Sequence, residues 1–79
     1  MWVLIIAYMG FGTIEAYSPY VYQTKGECVG KLSELTNEEI ADGFIPSPPT
    51  QEYDGGWTFD LKSKSGLIKA ITCAKATVQ

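Results

Sequence analysis

The opening stretch, Met1 to Ile14 (M-W-V-L-I-I-A-Y-M-G-F-G-T-I), carries no charge, and the first ionisable side chain is Glu15. A segment like this must be shielded from water, and three kinds of shield are available. A transmembrane helix needs about 20 apolar residues; this run is shorter and is broken by Gly10 and Gly12. A secretory signal begins with a basic region that Met1-Trp2-Val3 lacks, although Ile14-Glu15-Ala16 loosely resembles a cleavage site. The third option is a β-strand covered by protein on both faces, and Trp2, Val3, Ile5, Ile6 and Tyr8 are β-branched or aromatic. We read the segment as a strand. One helix covers one face of a small sheet, so the second face predicts self-association into a homodimer or higher oligomer.

With 79 residues the chain forms a single domain, 1–79, and Ile, Leu, Val and Phe, nineteen in all, are enough for a packed core. Gly10-Phe11-Gly12 suits a tight turn into a second strand, Thr13 to Tyr22. Strict alternation there puts Ile14, Ala16, Tyr20 and Tyr22 on one face, with Glu15, Tyr17 and Val21 on the other. Pro19 has no N–H to donate, which makes this an edge strand or places a bulge at Ser18-Pro19. Thr24-Lys25-Gly26-Glu27 is a capping box, in which the Thr24 hydroxyl receives the third amide and Glu27 reaches back to the Thr24 amide. It predicts a helix from Lys25 to Leu35 with Cys28, Leu32 and Leu35 inward and Val29 adjoining. Thr36-Asn37-Glu38-Glu39 repeats the capping pattern and predicts a separate short helical turn, Asn37 to Asp42, ended by Gly43. Pro46-Ser47-Pro48-Pro49 reads as an extended polyproline II connector, and it lacks the flanking base or the Pro-Pro-x-Tyr form of common docking ligands.

After the Asp54-Gly55-Gly56 loop, Trp57, Phe59 and Leu61 alternate with Thr58, Asp60 and Lys62 as a half-buried strand, turned by Ser65-Gly66. Leu67 to Val78 fits a helix stripe by spacing and a strand by residue type; the short turn before it favours a second hairpin. The expected fold is therefore α+β: a small antiparallel sheet of about four strands in two hairpins, packed by one α-helix, with a short helical turn and a Pro-rich connector.

Composition narrows the function. There is no His and no Arg, which removes the near-neutral acid/base, the usual zinc ligands and bidentate phosphate recognition. The net charge of −3 divides unevenly, because all nine acids lie in residues 1–60 while Lys62, Lys64, Lys69 and Lys75 follow without an acid. That basic tail reads as a solvated strand face, and nucleic-acid binding is not expected. Gly10-x-Gly12 lacks the third glycine of a phosphate loop, and with acid/base and nucleophile-activating partners missing as well, no enzymatic activity, metal or cofactor is expected. Cys28 and Cys73 would point into one core if the last segment lies under the helix; a bridge and two free buried thiols stay open from sequence.

The M-W-V-L-I-I opening, the glycine-broken turn, the aromatic-bearing strand and the cysteine-containing helix together resemble short, uncharacterised bacteriophage proteins. Those carry aromatic-x-Ser-x-x-x-Cys at the helix start, matched here by Tyr22-Gln23-Thr24-Lys25-Gly26-Glu27-Cys28 with Tyr for Phe and Thr for Ser, and a closing-strand cysteine, matched by Cys73. The resemblance spans the first 35 residues and the last dozen, and it implies viral origin and a similar fold but no activity. The expectation is an accessory protein that binds and modulates or inhibits a host protein through Tyr17, Tyr20 and Tyr22 on the edge strand. Two alternatives are a nucleotide-sequestering oligomer using Lys62 and Lys64 and a structural virion piece. The host cytoplasm is the expected location, with a secreted or periplasmic one if the opening segment acts as a signal; a membrane partner is not expected.

Overall fold

A computed structural model describes residues 1–10, 12–52 and 55–76, with the Pro19 side chain left aside. Phe11 of the expected first turn, Asp54 of the expected loop and the end of the last segment, from 77 on, lie outside the described residues. The fold is α+β: β1 (Trp2–Gly10), β2 (Thr13–Tyr22), α1 (Lys25–Ala41), β3 (Ile45–Pro46), β4 (Thr50–Gln51), β5 (Trp57–Lys62) and β6 (Ile68–Lys75). All strand pairings are antiparallel, in the order β2-β1-β6-β5-β3, with β4 also on β5. Within the uncharged opening segment, Trp2–Gly10 is thus an interior strand, paired on both sides. No helix among the described residues is long and apolar enough to cross a membrane.

The sheet has six strands rather than about four. The two long hairpins, β1–β2 and β5–β6, are as read, and the ambiguous last segment pairs as strand β6. The difference lies in the Pro-rich connector. Ile45 and Pro46 pair with Lys62 and Leu61, and Thr50 and Gln51 pair with Thr58 and Trp57. The chain from Ile45 to Gln51 is therefore one edge strand in two pieces, interrupted where Pro48 and Pro49 have no N–H to give. Its extended geometry came from the prolines; its partner came from the sheet.

The helix is also single where two pieces are predicted. Thr24 caps it, accepting the Glu27 amide at 3.3 Å, and its hydroxyl donates to the Glu27 carboxylate at 2.9 Å, so Glu27 answers the hydroxyl rather than the Thr24 amide. The second capping pattern does not cap, because Thr36 lies on the inner stripe with Cys28 and Leu32, spaced i, i+4, i+8. The helix runs on to Ala41 and ends in a Schellman motif: the Gly43 amide bonds the Ile40 carbonyl and the Phe44 amide bonds Glu39, with Gly43 at φ 104°. Thr36 stays 4% exposed, and its hydroxyl has no hydrogen-bond partner among the described residues. A buried unpaired hydroxyl costs about 1–3 kcal/mol. Thr36→Val should therefore raise stability by about 1 kcal/mol in urea denaturation, whereas Thr36→Ser should not.

The core lies between α1 and one face of the sheet: Leu4 and Ile6 of β1, Cys28 and Leu32 of α1, Leu61 of β5, and Ile71 and Cys73 of β6. Trp2, Tyr22, Leu35, Phe44, Trp57 and Phe59 close its margins. Cys28 and Cys73 are joined as a disulfide with Cα atoms 6.0 Å apart, tying the first turns of the helix to the sheet. Between the hairpins the backbones approach closely: a Cβ on Gly10 would stand 3.3 Å from Leu67 Cα, so a side chain there needs Leu67 to yield by a few tenths of an ångström.

Candidate functional site

The bulge foreseen at Ser18-Pro19 decides how the tyrosines are displayed. Leu4 pairs with Tyr20 but Ile6 pairs with Tyr17, so Ser18 and Pro19 together oppose the single residue Ile5. Ser18 Oγ fills the gap by donating to the Leu4 carbonyl at 3.0 Å. One extra residue inverts the alternation on its far side. Tyr17, assigned by simple alternation to the face opposite Tyr20 and Tyr22, therefore joins them on the helix side. The three tyrosines form a strip along β2, the outermost strand of the sheet.

Neighbours from other elements hold the strip. The Tyr8 and Tyr17 rings stack with centroids 6.1 Å apart, and their hydroxyls share a hydrogen bond of 3.3 Å. Tyr20 and Tyr22 lie 6.2 Å apart, and Lys31 Nζ from α1 sits 5.3 Å from the centre of the Tyr20 ring. The Tyr8 hydrogen bond, more than partial burial, pushes the Tyr17 phenol above the ordinary tyrosine range, so it remains a neutral hydrogen-bonding group near neutrality. Tyr17 is 48% and Tyr20 41% exposed, while Tyr22 packs at the core margin. The strip thus offers large, braced aromatic surfaces whose motion is already restricted, which suits recognition.

Beneath it lies a group not anticipated from sequence. Lys69, assigned with the basic tail to a solvated face, is only 7% exposed. It pairs with Tyr8 in the β1–β6 register on the helix-covered face, donates to Glu39 of α1, and places Nζ 4.9 Å from the centre of the Tyr8 ring. Burial works against its charge, but the hydrogen bonds to Glu39 and Tyr8 outweigh that penalty and hold the ammonium above the ordinary lysine range. It is a cation locked in an ion pair, not a neutral amine available as a nucleophile. Its position had a signal: Lys69, Ile71 and Cys73 share one face at the strand period of two, and Ile71 and Cys73 are core residues.

Lys62 and Lys64 lie elsewhere. Lys62 is on β5, two strands away from β1 and three from the tyrosine strand, and Lys64 is in the β5–β6 turn. Among the described residues, the cations against aromatic rings are Lys25 on Trp2, Lys31 on Tyr20 and Lys69 on Tyr8. The two lysines and the three tyrosines therefore do not form one site. No cluster of three metal-ligating side chains occurs among the described residues. No protein-family model, curated protein or solved structure matches this chain.

Proposed function

We propose that this chain is a non-enzymatic, phage-type accessory protein that binds a host protein and modulates or inhibits it. The observation that carries this reading is the tyrosine strip of Tyr17 and Tyr20, half-exposed on an edge strand and braced by Tyr8 and Lys31. Aromatic anchors fixed before binding lose little freedom on docking, and residues of this type dominate interface energetics. The chemistry of the remaining groups supports it: both cysteines are consumed in a bridge and Lys69 is engaged by Glu39, so neither supplies a free nucleophile. Between the two locations left open, the bridge weighs toward an oxidising one, where such bonds persist.

The test is capture of a host protein at one-to-one stoichiometry by the tagged chain, compared with its Tyr17→Ser/Tyr20→Ser variant. Loss of a hot spot worth about 2 kcal/mol weakens binding about thirtyfold, while circular dichroism shows the fold retained and Tm falls only modestly from the lost contacts with Tyr8 and Lys31. Undiminished capture by the folded variant overturns the reading, as does the lack of any stoichiometric partner.

A further inference from the structure

The helix covers one face of the sheet. The other face is apolar and uncovered across β2, β1 and β6, and the register sorts its side chains into rows. One row runs Ala16, Ala7, Ala70 and Asp60 across the four long strands. The next runs Ile14, Met9, Ile68 and Lys62. Alanine ends at Cβ, so the first row is a trough; the second stands beside it as a ridge, with Ile14 77%, Met9 38% and Ile68 37% exposed. The charges in both rows are confined to β5, at the margin of the apolar surface.

We infer that this face binds a second copy of the chain. A two-fold axis lying between the two sheets, perpendicular to the strands and midway between these rows, keeps each strand over its own counterpart and exchanges the rows. Each ridge then enters the other copy's trough, which is the interdigitation that sheets packed about 10 Å apart require. The same operation sets Lys62 over the second copy's Asp60, twice by symmetry, so shape and charge are complementary under one operator. The next row ends in hydroxyls that are already paired, Thr58 with Thr72 at 3.1 Å and with Glu52 at 2.7 Å, and forms a polar rim. The axis crosses β1 at Tyr8, close to one end of the strands, so only about five residues of about 3.4 Å on four strands about 4.8 Å apart overlap, a shared plane of roughly 300 Å². Counted in both copies this is about 600 Å², below the size of stable specific interfaces, so the contact is a weak, transient dimer oriented by the paired Lys62 and Asp60 charges.

Sedimentation velocity on the full chain from about 1 to 300 µM, a range that brackets micromolar dissociation, should show a monomer–dimer equilibrium. Asp60→Lys and Lys62→Asp each set like charges opposite one another and should weaken the dimer about tenfold. The combined D60K/K62D exchange should restore it to within about threefold, because the pairs are re-formed with reversed sign. Both positions are exposed, so these variants keep the fold, which circular dichroism verifies. A wild-type chain that stays monomeric throughout overturns the inference, and so does a double variant no tighter than the singles. Tyr17→Ser/Tyr20→Ser lies on the opposite face and should leave the dimer unchanged, so failure here and failure of the host-binding reading are separate results.

Discussion

Reduction of the Cys28–Cys73 bridge should lower the stability of this chain by about 4 kcal/mol, the chain-entropy value for a loop of this length. The two cysteines are 45 residues apart, so the bond closes more than half of the chain. Its position adds to the effect, because it ties the single helix to β6, in the middle of the sheet. A domain of this size has only about 4–12 kcal/mol in total, so the reduced form should unfold at far lower urea concentration or be unfolded at 37 °C. Urea titrations with and without a phosphine reductant measure this directly. Cys28→Ala/Cys73→Ala, insensitive to reductant, should behave like the reduced wild type with a further loss from the emptied core volume. Coincident midpoints for oxidised and reduced protein would show that the sulfurs contribute only as small apolar groups.

Breaking the Lys69–Glu39 pair from one side is the second large effect. Glu39→Gln leaves an ammonium in a nearly closed site without its carboxylate, at a cost of about 3 kcal/mol. Replacing both groups, as in Lys69→Met/Glu39→Leu, removes the stranded charge and should return stability to within about 1 kcal/mol of wild type. That contrast separates an ion pair from a merely crowded position. The pH dependence follows from the direction of the Lys69 shift, which is upward on folding. Its contribution is complete at every pH below the ordinary lysine value of about 10.4. It is lost as the pH rises through the higher folded value, because the unfolded chain gives up that proton first. Stability should therefore be insensitive to this pair between pH 6 and 9 (a window of about three units below the lysine range) and fall beyond it. Glu39→Gln should flatten that alkaline fall.

Local chemistry made several elements legible. Thr24 and Glu27 set the helix start, Gly43 set its end, and Pro19 announced the bulge, each through a backbone requirement confined to a few residues. The helix continuing through Thr36-Asn37-Glu38-Glu39 was not legible, because a capping pattern and a helix interior share these residue types and only the packing of Thr36 against the sheet chooses between them. The tyrosine strip was legible as a cluster but not as one face. Alternation separates Tyr17 from Tyr20 until the two bulged residues opposite Ile5 are counted, and that count belongs to the pairing with β1.

By itself the sequence determined that the helix is capped at Thr24 and that chemistry dependent on His or Arg is closed to this chain, and it favoured a strand at the start and a second hairpin at the end. Those properties follow from residue type and short-range spacing. Tertiary structure alone decided that Lys69 is buried beside Glu39, that the proline connector completes the sheet edge, and that Ala7, Ala16 and Ala70 fall into one row. Each of these depends on register between strands distant in the chain, and a shift of one residue would carry every side chain concerned to the opposite face.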